Sequence, residues 1–328
     1  MLSRLYNEVT HLKKILLSAS RVRITTHQNP DGDAIGSLLA FSFICSYFNI
    51  EYDLIIHDFP PPNLHFLPKF KEIQLWNNST MQKLHNENTN VVCFLDCGQI
   101  DRAGSVSQDI LSNQIIINID HHITNPLFGD INIVHDISST SELLVHIYHI
   151  LNIPITKEIA ENLYLGILTD TGCFQYDKVT SNTHIIAAEL INCGILPTKI
   201  FQYVYQSYPE SWLTLLQISI THLEIYQDIA ITYIMLEDIK KADGFDDTNV
   251  LLPIFASLKN IQVYIFLKEK ENNIITASLR SKNNTNVAQI AELFGGGGHR
   301  QAAACRTSRY SLVEFKEKIL LAIQNYKV

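Results

Sequence analysis

Three runs of β-branched and aliphatic residues each stop at a carboxylate or an imidazole, and this restricts the fold more than any other feature of the chain. Val22-Arg23-Ile24-Thr25-Thr26 runs into His27, and Val91-Val92-Cys93-Phe94-Leu95 ends at Asp96. Ile115-Ile116-Ile117-Asn118-Ile119 ends at Asp120-His121-His122. Short, continuous apolar runs suit parallel strands buried on both faces. Open α/β sheets bind ligands outside the carboxyl ends of their strands, so ionisable residues gathered there predict a site along that edge.

The first of these turns is the densest. Pro30 and Gly32 bend the backbone after His27, so that Asp31 and Asp33 are expected to converge from a turn instead of lying along a helix. Taken by itself, Asn29-Pro30-Asp31-Gly32 reads equally well as an ordinary turn with an Asp capping the next helix. A buried helix is expected over Leu38–Ile44, and further strands at Tyr52–His57, Lys71–Trp76 and Ile131–Val134. Met81–Asn90 reads as a polar helix or loop. Ser139-Thr140-Ser141-Glu142 opens a helix with capping chemistry. Helices follow at Thr156–Thr169, ending at Asp170-Thr171-Gly172, and at Asn182–Asn192 and Pro197–Tyr205.

After a helical stretch from Glu210 to Tyr226 the pattern turns β-rich. Ile229–Ile234, Val263–Leu267 and Ile274–Arg280 read as strands, the last two joined by a turn at Lys270-Glu271-Asn272-Asn273. A helix over Asn286–Phe294 leads into Gly295-Gly296-Gly297-Gly298-His299, and an amphipathic helix closes the chain. A length of 328 residues suits two domains, each with its own core. The reading is therefore α/β: an N-terminal doubly wound, mainly parallel sheet domain over residues 1–192, a helical linker over 193–226, and a smaller C-terminal α/β domain over 227–328. The active site is expected in the cleft between them.

Composition narrows the partners. A net charge of −8 does not provide the basic face that grips long nucleic acid by counterion release. No apolar run approaches the length needed to cross a bilayer. The segment Lys13–Ser20 is too short for a signal peptide, and Glu8, His11 and Lys13 read as the polar face of an amphipathic helix. The expectation is a cytoplasmic protein with no membrane partner. Six cysteines without a CxxC pair read as reduced, mostly buried thiols.

The chemistry follows from counting donors. A lone Asp after a strand is usually a turn or a cap, and adjacent histidines usually lie on the surface. Such local explanations fail jointly when His27, Asp31, Asp33, Asp96, Asp120, His121, His122 and Asp170 all fall at element ends in one domain. Mixed imidazole and carboxylate ligation suits Mn²⁺, and also Zn²⁺ or Fe²⁺, better than Ca²⁺. The carboxylates exceed what one ion needs. Two ions about 3.5–4 Å apart, sharing a bridging carboxylate, would hold a water, lower its pKa and clamp a phosphoryl group. The glycine run on its own reads as a flexible turn. With His299 and the strand-borne Arg280 it becomes a phosphate clamp, since glycines admit positive φ and close backbone approach and Arg makes bidentate phosphate contacts.

Asp120-His121-His122, together with His27…Asp31-x-Asp33, Asp96 and Asp170-Thr171-Gly172, is similar to the four motifs of the DHH phosphoesterase superfamily. Gly295–His299 with Ser278-Leu279-Arg280-Ser281 resembles its associated C-terminal domain. The likeness spans nearly the whole chain and is greatest to the bacterial nanoRNase/pAp-phosphatase (NrnA-type) branch. Family members often follow the glycine-run His with Ala-Ala-Gly, whereas this chain has Ala302-Ala303-Ala304-Cys305.

The resemblance implies two Mn²⁺, with Mg²⁺, Fe²⁺ or Co²⁺ as substitutes. It assigns His27, Asp31 and Asp96 to one ion and Asp33, Asp96, His121 and Asp170 to the other, with Asp96 bridging. Asp120 would orient a ligand and His122 would face the scissile phosphate. Ser278, Arg280, Gly296, Gly297, Gly298 and His299 would hold the substrate, and Arg102 would also face it. The implied reaction is hydrolysis of short single-stranded oligoribonucleotides to mononucleotides, and of 3′-phosphoadenosine 5′-phosphate (pAp) to AMP. It would proceed by in-line attack of a bimetal-bound hydroxide. A soluble phosphodiesterase for cyclic di-AMP or pApA would use the same residues. A nucleotide-binding module without catalysis would show a substituted ligand, and none of these positions is substituted. Size and charge disfavour a RecJ-type exonuclease, and the glycine run and Arg280 disfavour an inorganic pyrophosphatase. Family members often form dimers, so a homodimer is carried as an expectation of the resemblance alone.

Overall fold

The structure is a computed structural model that describes residues 2–77, 89–248, 250–282 and 285–326. Residues 81–88 of the expected helix or loop at Met81–Asn90 lie outside the described residues. The chain divides into two compact units, Met1–Ser207 and Tyr208–Val328. Residues 193–226 are shared between them.

The first unit contains strands β1 (Val22–Thr25), β2 (Tyr52–Ile56), β3 (Ile73–Leu75), β4 (Val91–Leu95), β5 (Ile115–Asp120) and β6 (Ile131–Val134). Its helices are α1 (Leu2–Ser18), α2 (Gly32–Tyr47), α3 (Thr140–Leu151), α4 (Lys157–Asp170), α5 (Ser181–Asn192) and α6 (Pro197–Tyr205). The sheet runs β3-β2-β1-β4-β5-β6, every pair parallel. The strand order reverses between β1 and β4, where doubly wound sheets bind their ligands.

Side chains alternate across each strand. Val91, Cys93 and Leu95 of β4 join the main core under α1–α5, with Leu12, Phe41, Tyr148 and Leu163. Val92 and Phe94 face the other way, onto Ala103 and Val106 of the 3₁₀ segment Ile100–Asp109. Both faces are covered, which is why β4 is apolar throughout.

Two local expectations change. The helix after His27 starts at Gly32, not near Leu38, because the Asp31 carboxylate accepts from the Asp33 and Ala34 N–H groups and caps it. Asp33 therefore lies in the first helical turn, contrary to the expected turn geometry. The strand expected at Lys71–Trp76 shrinks to Ile73–Leu75, preceded by a 3₁₀ turn. Among the described residues no single helix is long and apolar enough to cross a membrane, and all six cysteines are free.

The second unit contains α7 (Ser211–Thr221), β7 (Glu224–Tyr226), β8 (Ile229–Ile234), α8 (Leu236–Lys241), α9 (Leu252–Ala256) and β9 (Val263–Lys270). It continues with β10 (Ile274–Ser281), α10 (Val287–Glu292), β11 (Gly297–His299), β12 (Ala302–Thr307) and α11 (Leu312–Tyr326). Its mixed sheet has the order β11-β12-β10-β9-β8-β7. The helix expected to run to Tyr226 stops at Thr221, and residues 224–226 instead pair antiparallel with β8. One sheet face packs Ile265, Leu267, Leu279 and Ala303 against α10 and α11. At β8 and β9 the opposite face packs Phe266 and Ile234 against Leu215, Leu252 and Phe255.

Candidate metal centre

The carboxyl ends of β1, β4 and β5 and the ends of α2, α3 and α4 meet at one place in the first unit. His27 follows β1, with Nδ1 2.7 Å from the Gln28 carbonyl oxygen. A carbonyl can only accept, so Nδ1 carries the proton and Nε2 faces the Asp96 carboxylate, 3.6 Å from Oδ2. His121 follows β5 and repeats the arrangement. Its Nδ1 lies 3.2 Å from the Ile137 carbonyl, and its Nε2 lies 3.4 Å from Asp96 Oδ1 and 3.3 Å from Asp170 Oδ2. Metal-binding histidines are oriented in this way, by a hydrogen bond at the nitrogen that does not ligate.

Asp96 sits between the two imidazoles and offers one oxygen to each. It follows β4 with φ +52°, a left-handed conformation that Asp tolerates better than most residues. The Thr140 hydroxyl donates to Asp96 Oδ1 at 3.0 Å. Asp33, in the first turn of α2, is fully buried against the start of α3, where Thr140 N–H donates to its Oδ2 at 2.7 Å and Ser141 N–H to its Oδ1 at 2.9 Å. Ligand atoms of His27, Asp31 and Asp96 lie within 4.8 Å of one another, as do those of Asp33, His121 and Asp170 and those of Asp96, His121 and His122.

The electrostatics show what the cluster lacks. Burial, then the charges of Asp96 and Asp31, push the Asp33 carboxyl well above the usual range, and hydrogen bonds from Ser141 only oppose this. Asp170 is raised by burial and by Asp33, Asp96 and Asp31. Asp96 goes the other way: burial opposes ionisation, but the neighbouring imidazoles of His27, His121 and His122 hold it well below the usual range. Burial lowers His27, yet Asp96 and Asp31 raise it to about 9. Burial lowers the His121 pKa, against the pull of Asp96. Mutually repelling carboxylates with two imidazole Nε2 atoms aimed among them form a donor set that divalent cations fit.

His122 differs from His121. Its Nδ1 is 2.6 Å from Asp120 Oδ1, and Asn125 Nδ2 donates to the other Asp120 oxygen at 2.5 Å. Burial opposes the charged imidazole, but the Asp120 hydrogen bond raises its pKa. With Nδ1 committed, Nε2 is the nitrogen left for a ligand. The exposed Arg102 side chain lies close enough for its charge to depress both His27 and His122, and its carbonyl accepts from Gln28 N–H.

Arg280, Ser278 and the glycine run belong to the second unit. The register puts Arg280, Ala302 and His299 in one cross-strand row and Ser278, Ala304 and Gly297 in the next. Arg280 Nη1 donates to the Leu279 carbonyl at 3.0 Å. The His299 side chain lies outside the described structure. The run is less of a loop than its composition suggests, since Gly297–His299 forms strand β11. Positive φ is confined to Gly295 (+73°) and Gly298 (+144°). A Cβ on Gly296 would sit 2.2 Å from the Ala304 carbonyl oxygen, so close packing on β12 demands this glycine.

Sequence reasoning missed Thr140, whose hydroxyl and N–H bind two different carboxylates, because Ser139–Glu142 is fully explained as a helix cap. It also missed Gly166, where a Cβ would lie 2.0 Å from Ser141 Oγ and 2.6 Å from Asp33 Oδ1. Asn125 gave no signal.

The family model for the DHH family, N-terminal domain, matches residues 21–167, and that for the DHHA1 domain matches residues 240–326. The bifunctional oligoribonuclease and PAP phosphatase NrnA of Thermus thermophilus is 30% identical over 92% of this chain and 89% of its own length. A probable bifunctional oligoribonuclease and PAP phosphatase NrnA of Streptococcus mutans is 26% identical over 92% of this chain and 93% of its own. The crystal structure of an exopolyphosphatase-related protein from Bacteroides fragilis superposes with a TM-score of 0.88 at 30% identity, covering 98% of this chain and 96% of that one.

Proposed function

The chain belongs to the DHH phosphoesterase family, and from that premise we propose that it hydrolyses short oligoribonucleotides to mononucleotides and pAp to AMP, with Mn²⁺ as its native metal. The relatives named for both activities support the substrates, and the mixed imidazole and carboxylate donors support Mn²⁺. The observation that carries the reading is Asp96 between two inward-facing Nε2 atoms, each imidazole fixed by a backbone carbonyl.

His27, Asp31 and Asp96 would hold one ion and Asp33, Asp96, His121 and Asp170 the other. Bound there, the ions supply Lewis-acid charge for the phosphoryl oxygens and lower the pKa of water. Asp120 fixes the His122 tautomer and stabilises its imidazolium, so that Nε2 can give a proton to the departing oxygen, in the way a buried carboxylate serves a catalytic imidazole elsewhere. Arg102 adds positive charge beside that proton. On the second unit, Arg280, Ser278 and the backbone of Gly296, Gly297 and Gly298 would hold the nucleotide, with His299 beside them.

Turnover of pAp, a trinucleotide RNA, pApA and cyclic di-AMP by the purified protein, with Mn²⁺ and with EDTA, tests the reading. Hydrolysis of pAp and the trinucleotide that EDTA abolishes is expected. Preference for cyclic di-AMP, or turnover indifferent to EDTA, would overturn it.

A further inference from the structure

The loop between α4 and α5 carries an ammonium group that the metal centre does not account for. A lysine on a surface loop normally extends its charged head into water. Lys178 does the reverse: its side chain is partly exposed, but Nζ is buried and pairs with Asp136 Oδ1 at 3.0 Å. Among the described residues neither group has another ion-pair partner. A partly exposed ion pair adds at most about 1 kcal/mol to folding, so stability gives little reason to bury an ammonium there.

What the pair connects gives a better one. Asp136 lies between β6 and α3, in the middle of a three-residue turn closed by Ile137 N–H donating to the His135 carbonyl at 3.0 Å. The first residue of the turn is well held, since His135 N–H donates to the Asp120 carbonyl at 3.2 Å and His135 Nε2 lies 2.7 Å from Glu8 Oε2. The last residue, Ile137, presents the carbonyl that orients His121, at 3.2 Å from Nδ1, a longer bond than the 2.7 Å one that orients His27. Asp136 stands between the two. At the other end, the loop ties Lys178 back to Asp170. Gln175 and Tyr176 N–H groups donate to the Thr171 carbonyl at 2.9 and 3.1 Å, and Val179 N–H donates to the Tyr176 carbonyl at 3.0 Å.

The ion pair therefore joins the turn that aims His121 to the loop that follows Asp170, and His121 Nε2 lies 3.3 Å from Asp170 Oδ2. Burial is the main influence on the pKa of both Asp170 and His121, and the charge of Lys178 acts on each, lowering it. We propose that Lys178 and Asp136 form a clasp that positions His121 and Asp170 for one of the two metal ions, the one assigned to Asp33, Asp96, His121 and Asp170. The inference rests on the metal reading above. Lys178 is a positioning residue: it works through the Ile137 carbonyl and the loop after α4, and it would otherwise be a liability, because a cation repels a metal ion nearby.

That liability makes the test decisive in sign. Mn²⁺ titration of the full chain by calorimetry reads binding apart from turnover, and wild type should bind two ions. Lys178→Met and Asp136→Asn should each weaken one of the two about 10- to 100-fold, as loss of a ligand-orienting partner does, and leave the other unchanged. The double variant should lose no more than either single one, because both break the same link. Lys178→Arg, which keeps the pair, should restore most of the affinity. Charge acting alone would give opposite signs, with Lys178→Met tightening Mn²⁺ and Asp136→Asn loosening it. Opposite signs, an equal loss at both ions, or no change in either variant would overturn the clasp. No Mn²⁺ binding by wild type would overturn the clasp and the metal reading together. The expected binding pattern without hydrolysis of pAp or RNA would overturn the hydrolase reading and leave the clasp standing.

Discussion

Asp96 carries more of the site than any other residue, and its backbone limits how it can be tested. At φ +52° an alanine would be strained, whereas Asn tolerates this region nearly as well as Asp. Asp96→Asn should therefore keep the fold, seen as an unchanged circular dichroism spectrum, while lowering kcat by more than about 100-fold. Thr140 works one step removed, through its hydroxyl on Asp96 Oδ1. Thr140→Val keeps the shape and both N–H donors to the carboxylate of Asp33 but removes that hydroxyl. Metal affinity by titration calorimetry should fall about 10–100-fold, with Thr140→Ser restoring most of it. An equal loss in both variants would assign Thr140 a packing role only.

Two helices present their N-terminal ends to the centre. Asp31 caps α2, and the first N–H groups of α3 hold the Asp33 carboxylate, so its burial is offset by donors that water would otherwise supply. α2 and α4 pack closely across Gly36 and Gly166. A Cβ on Gly36 would lie 2.5 Å from the Asn162 carbonyl, and one on Gly166 would strike both Ser141 and Asp33. Gly166→Ala should cost about 1–3 kcal/mol of stability in urea denaturation, as overpacking does. It should also weaken metal binding, because the displaced side chain is itself a candidate ligand. A variant as stable as wild type would show that α2 and α4 separate freely.

On the scale of the whole molecule, the first unit brings the carboxylates of Asp33, Asp96 and Asp170 together, and their charges repel one another. Binding of Mn²⁺ to the folded state alone adds about 2.7 kcal/mol at a hundred times its Kd, so Tm should rise by about 5–10 °C on metal addition and fall back with EDTA. In Asp96→Asn the rise should largely vanish. The second unit has its own core around Phe315, Ile319, Val263 and Leu279 and contains no member of the metal cluster.

Sequence periodicity determined the parallel sheet, the β-rich second half and the strand ends at which His27, Asp96, Asp120 and His121 collect. Each of these follows from which residues neighbour one another along the chain. The glycine run was visible too, but its composition could not show that Gly297–His299 would pair with β12 as a strand, since a strand edge needs a partner. Only the tertiary structure decided that Thr140 joins two carboxylates and that Gly166 makes room for Asp33. Those facts depend on distances between residues far apart in sequence.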